Sequence, residues 1–226
     1  MVTMSDPFFS VIIATYNRAR LLQNALDSLI SQTTDDWEAI IVDDESNDDT
    51  YSQILPYLRS YKQIRYFRKT HSGCAMSKNA GICLSAGKFI TFLDSDDEYE
   101  MIHLESRKRI LKEHPSIQFL HGGVKIIGNQ FVPDRFDYEK SVNLSDCVIG
   151  GTFFIERDTM FRLKGFRKIS LGEDADLYER AKNSGISIKA TNFPTYIYHH
   201  ETDDSITNRL HRESTLKRRN QAVSVG

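Results

Sequence analysis

Asp94-Ser95-Asp96-Asp97-Glu98 sets four carboxylates within five residues, directly after the apolar run Phe89-Ile90-Thr91-Phe92-Leu93. Two carboxylates about 4 Å apart repel by roughly 4 kcal/mol at an effective dielectric near 20, so a cluster of this kind inside a cleft calls for a cation. Asp94 and Asp96, two positions apart where a strand ends, can turn oxygens toward one ion directly or through water. Hard oxygen ligands favour Mg2+ or Mn2+ over zinc or copper. A calcium loop counted from Asp94 fails at Tyr99, since the sixth position needs glycine for its sharp turn. An aspartyl phosphatase also opens on a strand and Asp-x-Asp, but Glu98 stands where threonine or valine is expected. Neither a G-x-x-x-x-G-K loop nor a G-x-G-x-x-G fingerprint is present.

Two further strand ends are polar: Thr15-Tyr16-Asn17 follows one apolar run, and Asp43-Asp44 follows another. Ligands of open α/β sheets bind beyond the carboxyl ends of the strands, so three polar ends point to one crevice. Each alone is also ordinary turn and cap chemistry.

The elements that must carry these groups follow from periodicity. Phe8 to Thr15 and Glu38 to Val42 are continuous apolar runs, the pattern of strands covered on both faces. Leu21, Leu22, Ala25, Leu26, Leu29 and Ile30 recur at helical spacing between them. Ser46 and Asp48 offer N-caps for a helix through Leu58, and Ile64 to Phe67 is a short strand. A helix is expected over 74–86 with Gly87 as its stop, then a strand over 88–93 and a helix over 101–114 ending before Pro115. Phe119 to Ile127 reads as one strand, Gly150-Gly151 as a break and Thr152 to Ile155 as a strand. Asp174 to Asn183 reads as a helix stopped by Gly185, with strands at 187–190 and 195–199. The Gly165-Phe166 turn and the loop before Glu173 are the expected mobile parts.

Charge and composition narrow the class. The 226 residues carry a formal net charge of -2 with 27% charged residues, so the acidic cluster is local, and a nucleic-acid binder with a basic excess is excluded. The length suits one cored unit. Cys74, Cys83 and Cys147 are odd in number and scattered, as expected of reduced thiols. No apolar run approaches the ~20 residues of a membrane span, and Met1 to Pro7 lacks a signal-peptide pattern, so a soluble, cytoplasmic protein is expected.

Taken in order, Val11 to Arg18, Ile41 to Asp48, Ser77-Lys78-Asn79-Ala80-Gly81-Ile82, Phe92 to Asp97 and Gly172-Glu173-Asp174-Ala175-Asp176-Leu177 resemble the family 2 glycosyltransferases. The resemblance runs from residue 8 to about 205. It implies an α/β GT-A fold: a Rossmann-like, mostly parallel central sheet flanked by helices, with a smaller β region on the acceptor side. Residues 1–115 would form the nucleotide-sugar half and 116–226 the acceptor half of one fused domain.

The resemblance further implies that Thr15 and Tyr16 flank the nucleotide base and that Asp44, or Asp43, accepts hydrogen bonds from uracil or ribose. Lys78 and Asn79 would lie near the donor phosphates or sugar, with Asp94 and Ser95 at the ribose. Asp94 and Asp96 would hold the Mn2+ or Mg2+ that bridges the diphosphate. One of His199 and His200 would join them; side chains alternate along a strand, so only one imidazole can face the crevice. Gly151 would open space for a sugar. Asp174 would be the general base of an inverting displacement and Glu173 its neighbour, although first-turn acids also complement a helix dipole. A UDP-sugar donor and a saccharide or lipid-linked acceptor of cell-surface polysaccharide or glycolipid synthesis are the expected partners. A sugar-phosphate nucleotidyltransferase would need a glycine-rich basic loop near the first strand, and a non-catalytic binding module would have no use for Asp174. The basic run Arg209, Arg212, Lys217, Arg218 and Arg219 is a solvated helix face or a contact with the cytoplasmic face of an anionic membrane.

Overall fold

The computed structural model describes residues 6–137, 140–169 and 171–201. Its elements run β1 (Phe9–Thr15), α1 (Ala19–Ile30), β2 (Trp37–Asp43), α2 (Thr50–Ser60), β3 (Ile64–Arg68), α3 (Cys74–Leu84), β4 (Phe89–Phe92), β5 (Glu98–Tyr99) and α4 (His103–Glu113). They continue with β6 (Phe119–His121), β7 (Val124–Gly128), β8 (Phe131–Pro133), β9 (Ser141–Asn143), β10 (Phe154–Glu156), α5 (Arg157–Arg162), α6 (Glu173–Asn183), β11 (Ile188–Ala190) and β12 (Tyr196–His200).

Seven strands form the main sheet in the order β11-β6-β10-β4-β1-β2-β3, with β10 antiparallel to both neighbours and the other pairings parallel. This is the mostly parallel α/β sheet expected. Successive side chains of β1 point to opposite faces, and both faces are buried. Phe9, Val11 and Ile13 meet Leu22, Leu26 and Leu29 of α1 and Ile54 of α2, while Ile12 joins Ile82 of α3, Met160 of α5 and Leu177 of α6. α1 has no side-chain N-cap bond, which forgoes about 1 kcal/mol, but each buried leucine contributes about 2 kcal/mol, so packing decides the helix.

A smaller sheet, β5-β12-β7, and the hairpin β8–β9 make up the second β region. The single strand read over 119–127 is two: Gly122 and Gly123 have φ of 87° and 75°, and the chain leaves the main sheet there for the small one. Gly87 is no helix stop either, since α3 ends at Leu84. A Cβ on Gly87 would lie 2.6 Å from backbone atoms of Phe9 and Ser10, so glycine there permits a close chain approach.

The sheet order puts the site where the chain changes direction. From β1 the chain proceeds outward to β2 and β3, then returns to lay β4 against the other side of β1. The crevice beyond β1 and β4 is therefore the switch point at which open α/β sheets take their ligands. Beside it, Asn17 and Glu45 adopt left-handed φ of 53° and 72°. Asn17 ties the two loops together, donating its N–H to Ser46 Oγ (2.9 Å) and accepting the Asn47 N–H at Oδ1 (2.7 Å).

Candidate active site

Where β4 ends, the four acids separate. Asp94 pairs with Lys78 Nζ at 2.7 Å, and Asp96 with Arg18 Nη1 at 2.6 Å. Lys78 reaches Asp94 from α3, is only 5% exposed, and holds Nζ 5.8 Å from the ring centres of both Phe92 and Phe166. Burial opposes its charge, but Asp94 above all, with Glu173 nearby, outweighs burial and keeps it protonated. Asp97 turns inward at 1% exposure, accepting the Tyr196 hydroxyl (2.6 Å) and the His199 N–H (2.8 Å). Burial, then the charges of Asp96 and Asp94, push its carboxyl well above the usual range. Ser95 is buried, and the Asp97 N–H closes the turn onto the Asp94 carbonyl at 3.0 Å.

A further acid comes from the start of α6. Asp174 accepts the Gly150 N–H at Oδ2 (3.1 Å) and the Ala175 N–H at Oδ1 (2.7 Å). Burial and the Glu173 charge raise its carboxyl to about 6, while those N–H groups and Lys78 restrain the rise. The electrostatic neighbourhoods overlap: Lys78 feels both Asp94 and Glu173, and the Tyr198 phenol is raised by burial and then by Asp97, Asp94, Asp96 and Asp174. The acids thus lie within electrostatic reach of the same side chains. Burial pushes the Cys74 thiol in the same neighbourhood up to about 12.

Beyond β1 and β2, the buried Thr15 hydroxyl has no partner among the described residues, and Tyr16 is 41% exposed with its ring 4.5 Å from His71. Asp43 accepts the Ser46 N–H at 2.8 Å and the Tyr66 hydroxyl at 2.6 Å. Asp44 is filled by its own chain: Oδ1 takes Lys69 Nζ (2.7 Å) and the Ser72 N–H (2.9 Å), and Oδ2 takes the Gly73 N–H (2.7 Å) with His71 Nδ1 at 2.9 Å. Burial opposes its charge, yet Lys69 and the two N–H groups hold the carboxyl below its ordinary value. Asp44 therefore shapes the 69–73 loop.

Other sequence candidates have structural partners. Asn79 spends its whole amide on Phe166, donating to the carbonyl and accepting the N–H, each at 2.8 Å. That bond, with Arg180 donating to the carbonyls of Leu163 and Gly165, holds the Gly165-Phe166 turn that the sequence had suggested as mobile. A Cβ on Gly151 would fall 2.1 Å from Tyr196 Oη, so the space it leaves is taken by that ring. His199 lies between Glu98 (3.0 Å) and Glu201 (3.3 Å). His200 is buried, its Nδ1 2.6 Å from the Asn129 carbonyl and its Nε2 without a partner among the described residues. Neither histidine is gathered with Asp94 and Asp96, and no trio of ligating side chains is assembled among the described residues. The two carboxylates nevertheless suit a hard divalent ion, which takes one or two carboxylates and completes its shell with phosphate and water. Arg18, Asp97 and Tyr196 were missed as site residues. Arg18 and Asp97 lie inside the recognised motifs, but which acid meets which cation depends on the turn at 94–97. The basic tail falls outside the described residues.

Among curated relatives, the chain is 40% identical over 181 residues to a GalNAc(5)-diNAcBac-PP-undecaprenol beta-1,3-glucosyltransferase of Campylobacter jejuni, covering 76% of this chain and 59% of that protein. It is 30% identical over 154 residues to the UDP-Glc:alpha-D-GlcNAc-diphosphoundecaprenol beta-1,3-glucosyltransferase WfgD of Escherichia coli, covering 65% of this chain and 59% of that one. The chain thus spans less than two thirds of these relatives' length. The fold matches S. aureus TarS 1-349, solved in complex with UDP-GlcNAc, at a TM-score of 0.74 and 23% identity, over 88% of this chain and 60% of that one. A Pyrobaculum calidifontis mannosyltransferase solved with GDP-Man and Mn2+ matches at 0.68 and 18% identity, over 86% and 57%. The family model described as Glycosyl transferase family 2 matches residues 10–169, and the chain belongs to that family.

Proposed function

We propose that this protein is an inverting glycosyltransferase that moves a sugar from a nucleotide-diphosphate donor, a UDP-sugar, to a hydroxyl of a lipid-linked or saccharide acceptor in cell-surface glycan synthesis. The carrying observation is Asp174: a carboxylate held by the Gly150 and Ala175 N–H groups and raised to about 6, within electrostatic reach of the Lys78 that pairs with Asp94. A base poised near neutrality takes a hydroxyl proton without being lost to protonation itself. The acceptor O–H gives its proton to Asp174; its oxygen forms a bond to the anomeric carbon as the bond to the nucleoside diphosphate breaks, from the opposite face, inverting the centre. Glu173 orients the acceptor.

On the donor side, Thr15 and Tyr16 frame the nucleoside with Asp43 and with Asp44, the latter through the loop it shapes. Asp94 and Asp96 would hold a divalent Mn2+ or Mg2+ ion, which neutralises charge growing on the diphosphate. Lys78 keeps Asp94 in place beside the sugar. The relatives' names support a UDP-glucose donor and a diphosphoundecaprenol acceptor. Residues 1–115 are assigned to the donor and the following residues to the acceptor, with work at the cytoplasmic face of a membrane.

Titration calorimetry of UDP with and without Mn2+, followed by transfer assays against a lipid-linked diphosphate sugar, tests this reading. Metal-strengthened UDP binding together with product is the expected result. No nucleotide binding under either condition would overturn it.

A further inference from the structure

Between Thr159 and Gly172 the sequence carries four bases, Arg162, Lys164, Arg167 and Lys168, and no aspartate or glutamate, in a chain of net charge -2. All four are exposed. Two large apolar side chains are exposed with them, Phe161 at 42% and Ile169 at 42%. The strip runs off the end of α5 into the turn before α6, and that turn is fixed from beneath by Asn79 and Arg180. Phe166, at its centre, points inward onto Phe92 (5.1 Å) and Lys78, so the buried side of the strip adjoins the Lys78–Asp94 pair while its bases stay exposed. Acidic company is sparse: Asp158 precedes the strip, and Asp176 takes Arg167 at 3.1 Å while also holding Arg180.

What sets the strip apart from the other exposed apolar side chains is the company of four exposed bases with no acid among them. Apolar groups that enter the headgroup boundary, flanked by bases that meet anionic headgroups, are the chemistry of a bilayer surface. A nucleic acid is the weaker fit, because the chain has no general basic excess. We infer that the strip from Phe161 to Ile169 docks this protein on an anionic membrane and so brings Asp174 to a membrane-borne acceptor. Its purpose rests on the lipid-linked acceptor proposed above, but membrane binding is read without any transfer step, so either can fail alone.

The test is sedimentation of the full chain with phosphatidylcholine vesicles, with and without phosphatidylglycerol, at low and high salt. Binding is expected only where phosphatidylglycerol is present, and salt should weaken it. Each base near such a surface raises partition about fivefold, so the combined Arg162→Gln, Arg167→Gln and Lys168→Gln variant should bind roughly a hundredfold more weakly. Phe161→Ser should lose affinity that salt does not modulate. Thermal melts check the fold; if the triple variant is unstable, Lys168→Gln alone, expected to lose about fivefold, replaces it. Unaltered binding in a folded variant, which would assign the contact to the bases of 209–219, or no binding to either vesicle, overturns the inference.

Discussion

As the proposed general base, Asp174 would work only as the carboxylate, so the acid limb of the rate should follow its own protonation. With the carboxyl raised to about 6, kcat/KM should fall as the pH drops through 6, well above the 3.8 of an ordinary aspartate. A pH-rate profile checks this. Asp174→Asn should cut transfer by roughly a hundred- to ten-thousand-fold while leaving UDP binding intact by calorimetry. Stability should move the other way. A raised carboxyl favours the folded state when protonated, and that contribution is lost as the pH rises through 6. Melting temperatures should therefore show Asp174→Asn above the parent at pH 8, with the gain gone below 3.8. Asp44 carries the opposite sign. Asp44→Ala removes the one carboxylate opposite Lys69 and leaves the Ser72 and Gly73 N–H groups without their acceptor, and should destabilise by about 3 kcal/mol in urea unfolding. The deficit should narrow as the pH falls below 3.8, where the unfolded parent's Asp44 takes up protons that the folded carboxylate still resists.

β12 shows what one element does for the site. Its Tyr196 hydroxyl fills the notch beside Gly151 and donates to Asp97, while the His199 N–H takes the other oxygen of the same carboxylate. Gly151→Ala would put a methyl group against Tyr196 and displace that anchor, and should cost about 1–3 kcal/mol by urea unfolding. How much of this the sequence displayed depends on the element. β1, β2 and β4 were legible because strands buried on both faces must be apolar throughout, and the acids at their ends stood out against that background. β5, β8, β9 and α5 were not, because two- and three-residue strands and a six-residue helix are too short to establish a period. The histidines illustrate the same limit. Alternation said that one ring faces away from the other, but the partners, Glu98 and the Asn129 carbonyl, come from elements distant in sequence.

At the scale of the molecule, the donor and acceptor assignments share one sheet: β4 of the earlier residues lies between β1 and β10, and β6, β10 and β11 all come after residue 115. Residues 1–115 expressed alone would leave β4 without its outer neighbour and Ile12, Ile90 and Phe92 without Phe119, Phe153 and Ile155, so a cooperative thermal transition should be absent. The placement of β4 has a temporal consequence as well. Phe9 lies opposite Trp37 on one side and opposite Phe89, eighty positions later, on the other. Closing the longer loop is entropically slower to repay, so the β1–β2 pair should assemble first and the ligand cleft only afterwards. During refolding, fluorescence of Trp37, the sole tryptophan, should recover ahead of nucleotide capture. A newly made chain would thus be shaped before it is competent.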